Sequence, residues 1–247
     1  MQNRYVGDVG DFAKYGLLRL LTRESNLSIG VLWWLYGNET HNSDGRHIGY
    51  LSDPAFDALD PVLHQALGKL VSKGSRSVKA IAKSGILPSE TVFFDRPISN
   101  PTTIGPRSDR EHHRTEWLRK AWIATASCDL VFFDPDNGLE TPSVARHSPK
   151  GGKYVFWDEL FPFWERGQSL LVYHHLNRTA SVAKQTEILE AKFASKFANA
   201  AVVRHFLFRR GSCRHFWLVS QEKHKLHCLS AMNQITQSEW RKYLFVG

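Results

Sequence analysis

The sequence predicts an α/β protein: a mostly parallel twisted sheet with helices on both faces and a C-terminal antiparallel hairpin. Three observations carry this expectation. Short apolar runs without polar alternation recur at residues 29–36, 91–94, 130–133 and 169–173, the pattern of strands covered on both faces. Segments of helical period separate these runs, as in layered α/β folds. Two further runs, 201–208 and 215–220, are joined only by Arg209 to Arg214, a link short enough for a hairpin.

Bulk properties bound the rest. A chain of 247 residues can bury a full core, so a single domain spanning 1–247 is the first expectation and two domains the second. The apolar content of 42% and charged content of 23% are ordinary for a globular protein. No apolar run is long enough to span a bilayer and the first residues lack a signal-peptide core, so a cytoplasmic protein is expected. Cys128, Cys213 and Cys228 have no CxxC or short Cys/His spacing, which argues against a disulfide framework or a thiolate zinc site. A formal charge of +8, with twelve histidines besides, favours a polyanionic partner such as nucleic acid.

Residues 4–23 read as a loop followed by a helix that Asp8 or Asp11 caps. Gly7 and Gly10 precede it, giving a glycine-containing loop that runs into a helix N-terminus and suits an anion or a polar ligand. The run at 29–36 leads into the polar loop 37–47, a candidate ligand loop. Residues 53–84 are mostly helical with a break at 73–75, and the second helix stops at Gly85. The run 91–94 ends in Asp95 and a proline-rich loop. Residues 110–126 form an amphipathic helix with Trp117, Ala121 and Ala124 on one face and Arg114, Arg119 and Lys120 largely off it. Residues 153–166 are rich in aromatics, which suits a helical turn over the sheet or a surface for stacking bases. Residues 179–197 carry the strongest helical pattern.

The stretch best placed for chemistry is CDLVFFDPDNGLE, from Cys128 to Glu140. A buried strand ends there in Asp134, Pro135, Asp136, Asn137 and Gly138, and open α/β sheets bind ligands beyond the carboxyl ends of their strands. Two carboxylates and an amide at that edge suit a catalytic loop. An ordinary turn, in which Asp and Asn bond their own backbone, is the plain alternative. The strand at 169–173 delivers His174, His175 and Arg178 to the same edge.

A parallel sheet finished by an antiparallel hairpin resembles the class I S-adenosylmethionine-dependent methyltransferases, a Rossmann-like fold. Members that methylate exocyclic amines end their fourth strand in (Asp or Asn)-Pro-Pro-aromatic, where this chain has FFDPDN. The chain is most similar to the bacterial large-subunit ribosomal RNA adenine-N6 methyltransferases. GDVGDFAKYGLL resembles that family's GNxADVLKH opening, with Asp11 and Lys14 matching and Tyr15 at a histidine of the cofactor site. ETHNSDGRH resembles DTHAGAGRY, with Thr40, His41, Gly45 and Arg46 matching, and FFDPDNGLE resembles LIDPPYE.

The resemblance implies S-adenosylmethionine as cofactor and adenine-N6 methylation of a nucleic acid base. Asp134, Pro135, Asp136 and Asn137 become the catalytic loop. Tyr15, His41, Asp44 and Asp95 become cofactor contacts. Lys14, Arg46, His174 and Arg178 become nucleic-acid contacts, with Arg209, Arg210 and Arg214 of the hairpin either phosphate contacts or a solvated basic turn. Three departures stand out. Asn42, Ser43 and Asp44 replace the small cofactor-loop turn, and Asp136 and Asn137 replace the second proline and the base-stacking aromatic. No second strand ends in an acid for the cofactor ribose, and Asp95 is expected at the end of a third strand. No metal is required for methylation.

The same residues admit two other readings. Asp134 and Asp136, with Asp44, Asp95 or Glu140 and histidines such as His41 and His175, could hold Mg²⁺ or Mn²⁺ for phosphodiester hydrolysis. A methyltransferase-like binding module without activity is the third reading.

Overall fold

The structure is a computed structural model that describes residues 1–23, 25–38, 45–99 and 105–247. Seven strands form the central sheet: β1 (Ile29–Trp33), β2 (Val92–Phe94), β3 (Leu130–Asp134), β4 (Ser169–His175), β5 (Val202–Arg210), β6 (Ser212–Ser220) and β7 (Leu244–Val246). Their order across the sheet is β7-β5-β6-β4-β3-β1-β2. The pairs β1–β2, β1–β3 and β3–β4 are parallel. Strand β6 runs antiparallel to both β4 and β5, and β7 antiparallel to β5. Five of the seven strands therefore share one direction. The expected mostly parallel sheet and the expected hairpin are both present, in an open α/β sheet.

Among the described residues, six longer helices cover it: α1 (Val9–Thr22), α2 (Pro61–Ser72), α3 (Arg107–Ala124), α4 (Trp157–Glu165), α5 (Val182–Lys196) and α6 (Lys225–Gln237). All five residues of β1 and of β3 are buried, because helices lie on both faces. Period-2 alternation divides their side chains between two cores. Val31, Trp33, Leu130 and Phe132 pack with residues of α1, α2 and α6. Leu32, Val131 and Phe133 pack with residues of α3, α4 and α5.

Several expectations need correction. Strand β1 stops at Trp33, and Leu35–Tyr36 pairs separately with Pro97–Ser99. The strand expected as third, β2, lies directly beside β1 at the edge of the sheet. Helix α3 begins at Arg107, and Arg114 is buried rather than off the packed face. Its guanidinium forms a fork with both carboxylate oxygens of Glu159 and donates to the carbonyls of Gly151 and Tyr154. Those bonds compensate the cost of burying the charge. The aromatics Phe156, Trp157 and Phe163 are core residues, so the segment carries a helix packed on the sheet, as the first of its two readings expected. Beyond Ser220, where sequence pattern alone yields no assignment, α6 packs beside α1 and β7 adds the outer strand. No helix among the described residues is long and apolar enough to cross a membrane.

The chain after β3 is pinned from both sides. Gly138–Leu139 pairs in parallel with Tyr154–Val155. The Asn137 amide donates to the Lys153 carbonyl at 2.9 Å, and the Asn137 carbonyl accepts from the His175 amide at 3.1 Å. Gly138 has φ of +110°, and an added Cβ would stand 2.6 Å from the His174 Cα. A side chain there meets backbone as well as an unfavourable dihedral. Gly138→Ala is expected to destabilise the protein by about 1–3 kcal/mol in urea unfolding; a loss below ~0.5 kcal/mol would show that the loop yields.

Candidate active site

A cavity of about 420 Å³ opens at the carboxyl ends of β1, β3 and β4. Its walls come from five places: Met1, Tyr5, Asp8, Gly10, Asp11 and Lys14; Gly45 and His47 after β1; Asp134 to Asn137 after β3; Tyr173, His175 and Arg178 along and after β4; and Gly211, Ser212 and Arg214 of the hairpin. The hairpin reaches this edge because β5 runs in the direction of the parallel strands, so its last residues arrive on the same side.

Three ammonium groups and three carboxylates meet at the inner end. Lys14 Nζ lies 2.7 Å from Asp134 Oδ2 and 2.9 Å from Asp11 Oδ1. The Met1 amino group donates to the carbonyl of Trp34 at 2.8 Å and stands 3.6 Å from Asp136 Oδ1. Asp136 Oδ2 accepts from Gln2 Nε2 at 2.9 Å and faces Lys153 Nζ at 3.5 Å.

Burial and ionic partners pull in opposite directions at Lys14, Asp11 and Asp136, and the balance differs among them. Burial would lower the Lys14 pKa, yet Asp11 and Asp134 hold it well above its ordinary value. Burial pushes Asp11 up to about 6 despite Lys14. Burial opposes the charged form of Asp136 too, but the Met1 ammonium, Gln2 and Lys153 hold its carboxyl below the usual range.

Asp134, Pro135, Asp136 and Asn137 thus line the cavity together, and so does Arg178. Arg46 is exposed between Gly45 and His47, which line the wall. His41 and Asp44 lie outside the described residues. Four expected contacts are placed differently. Lys14 is enclosed in the ion cluster, with a side chain 5% exposed, and is no surface phosphate contact. Tyr15 is fully buried and takes a hydrogen bond from Trp33 Nε1 at 3.3 Å; it does not line the cavity. Asp95 is half-buried at the end of β2 and does not line it either.

His174 faces away from the cavity. It is buried, and its Nδ1 accepts from the Leu139 amide at 3.1 Å. Burial lowers its pKa to about 4, below the ordinary value of about 6.5. The unfolded chain therefore binds the extra proton first, and stability falls as pH drops from about 6.5 towards 4. The contribution of His174 is expected to fall by up to ~2 kcal/mol between pH 7 and 5. Urea titrations of wild type and His174→Gln at both pH values check this, and equal slopes would contradict it.

Met1, Gln2, Tyr173 and Lys153 are cavity or cluster residues that carry no local sequence signal. Among the described residues no three His, Cys, Asp or Glu side chains converge as a metal site. Glu140 is engaged elsewhere, accepting from the Trp157 amide at 3.3 Å, and Asp134 and Asp136 face ammonium groups rather than one another's ligands. The described part of the carboxylate set envisaged for a metal is not assembled. No protein-family model matches the chain, and no curated protein shows significant similarity to it.

Proposed function

We propose that this cavity is the active site of an S-adenosylmethionine-dependent methyltransferase acting on an exocyclic amine of a nucleic acid base, of the adenine-N6 type. One observation carries the reading. Asp134, at the carboxyl end of β3, has Oδ2 clamped by Lys14 and, among the described residues, no hydrogen bond to Oδ1. A carboxylate fixed through one oxygen and open at the other is an acceptor for an amine N–H.

The lone pair of an exocyclic amine is conjugated with its ring, which makes the nitrogen a poor nucleophile. Asp134 Oδ1 and the Pro135 carbonyl, accepting its two N–H groups, localise that pair and fix its direction. Positioning and electrostatic preorganisation then supply the acceleration. S-adenosylmethionine supplies an electrophilic methyl group when bound. The cavity's size and its place at the strand ends suit a nucleoside-sized group. The loop carrying Gly45 and His47 is a wall available to the cofactor.

Calorimetric titration with S-adenosylmethionine and S-adenosylhomocysteine, followed by transfer of a labelled methyl group to adenine-containing RNA and DNA, tests the reading. Saturable cofactor binding with label in N6-methyladenine is expected. Absence of binding by either cofactor form at millimolar concentration would overturn it.

A further inference from the structure

The two ends of the cavity differ in charge balance. At the inner end, Met1, Lys14 and Lys153 match Asp11, Asp134 and Asp136 one for one. Of the remaining charged side chains that line it among the described residues, Arg178 and Arg214 are cationic and Asp8 alone is anionic.

Arg214 is the unusual member. Its residue is 6% exposed, yet it lines the cavity. The guanidinium carries five N–H donors, of which one bonds the Ser212 hydroxyl and Nε has no hydrogen-bond partner among the described residues. The nearest carboxylate oxygen, Asp8 Oδ1, is 3.9 Å from Nη1 and already accepts from the Gly10 amide at 2.8 Å. The other Asp8 oxygen accepts from the His47 amide at 3.3 Å. Asp8 is therefore spent on capping α1 and holding the loop after β1.

The guanidinium also rests against the first turn of α1. A Cβ on Gly10 would stand 1.9 Å from Arg214 Nη1, so glycine is what admits the arginine here. A buried, under-partnered guanidinium fork is a strong anion environment, and its planar donors match phosphate oxygens.

We propose that Arg214 and Ser212, packed beside the first turn of α1, form a subsite for the phosphate attached to the nucleoside whose base enters the cavity. The proposal rests on the nucleic-acid reading of this site and adds what recognises the backbone. Arg178 stands at the outer wall as a second cation for the same chain.

The probes are adenosine 5′-monophosphate and adenosine, titrated calorimetrically into the full-length protein with inorganic phosphate as competitor. Wild type is expected to prefer the monophosphate by about tenfold or more, and Arg214→Gln to lose that preference while keeping its affinity for adenosine. Asp8→Asn keeps an acceptor for the Gly10 amide at the helix cap, gives up the longer bond from the His47 amide and removes the competing charge, so it is expected to strengthen the preference about threefold.

Equal affinities in wild type, a preference that survives Arg214→Gln, or a weaker preference in Asp8→Asn would each overturn the subsite. Thermal unfolding shows whether Arg214→Gln folds; if it does not, the direction of the Asp8→Asn effect decides. Weaker S-adenosylhomocysteine binding in Arg214→Gln with an intact phosphate preference would assign the arginine to the cofactor carboxylate instead. Arg214-dependent phosphate binding without cofactor binding would sink the methyltransferase reading alone. Cofactor binding without a phosphate preference would sink the subsite alone.

Discussion

Replacing Asp134 with alanine is expected to lower methyl transfer by about a thousandfold or more, while cofactor affinity stays within about threefold of wild type. The asymmetry follows from the geometry. Asp134 Oδ2 is held by Lys14 at 2.7 Å, and its other oxygen is the one offered to the amine. Loss of that acceptor removes an interaction realised on the reacting nitrogen rather than on the cofactor, so the rate falls and cofactor binding does not. Asp134→Asn separates charge from shape. Its amide nitrogen is a donor, repelled by Lys14 or by the substrate N–H groups whichever way it turns, so it is expected to be nearly as inactive. Single-turnover assays with a labelled methyl group measure both variants. Wild-type turnover in Asp134→Ala would remove Asp134 from the chemistry.

The second large effect is on stability. Lys14 has a side chain 5% exposed and serves two carboxylates, Asp11 and Asp134, whose side chains are 2% and 3% exposed. Lys14→Met keeps much of the aliphatic volume and leaves both acids without their ammonium partner. Breaking a buried pair from one side costs about 3–5 kcal/mol, because the remaining charge is uncompensated. The loss should depend on pH in a stated direction. Burial already raises Asp11 to about 6, so the folded state holds a proton that the unfolded chain releases near its ordinary pKa of about 4. Removal of Lys14 raises Asp11 further, and protonation then relieves the buried charge as pH falls. Urea unfolding should show Lys14→Met closer to wild type at pH 5 than at pH 8, and an equal or larger deficit at pH 5 would contradict the account.

The floor of the site was legible in the sequence because its signal is local. Buried strand β3 ends in a packet of turn formers, and the strand ends of an α/β sheet are where ligand loops gather. The fold was legible for a related reason, since apolar runs without alternation announce strands covered on both faces. The failures came where one position reverses a direction. Lys14 and Tyr15 are adjacent on α1, yet Lys14 reaches the carboxylates while Tyr15 turns into the core. His174 and His175 are adjacent on β4, and strand alternation sends one inward and the other to the cavity.

Other parts had no local signature at all. That Met1 and Gln2 reach the Asp136 carboxylate depends on contacts across more than a hundred residues. Arg114 looked like a solvent-facing helix residue because its partner Glu159 lies on a different helix.

The antiparallel insertion of β6 between β4 and β5 has a consequence for how such a protein could diversify. The turn around Gly211 and the side chains just after it border the cavity, but the acceptor Asp134 and its clamp Lys14 belong to β3 and α1, elsewhere in the chain. The hairpin side of the cavity and its Asp134 floor are thereby written on different pieces of polypeptide. A hairpin lengthened, shortened or exchanged for another would alter which partner is admitted while the atoms at the floor keep their places, so this turn is the natural point at which to graft a new preference.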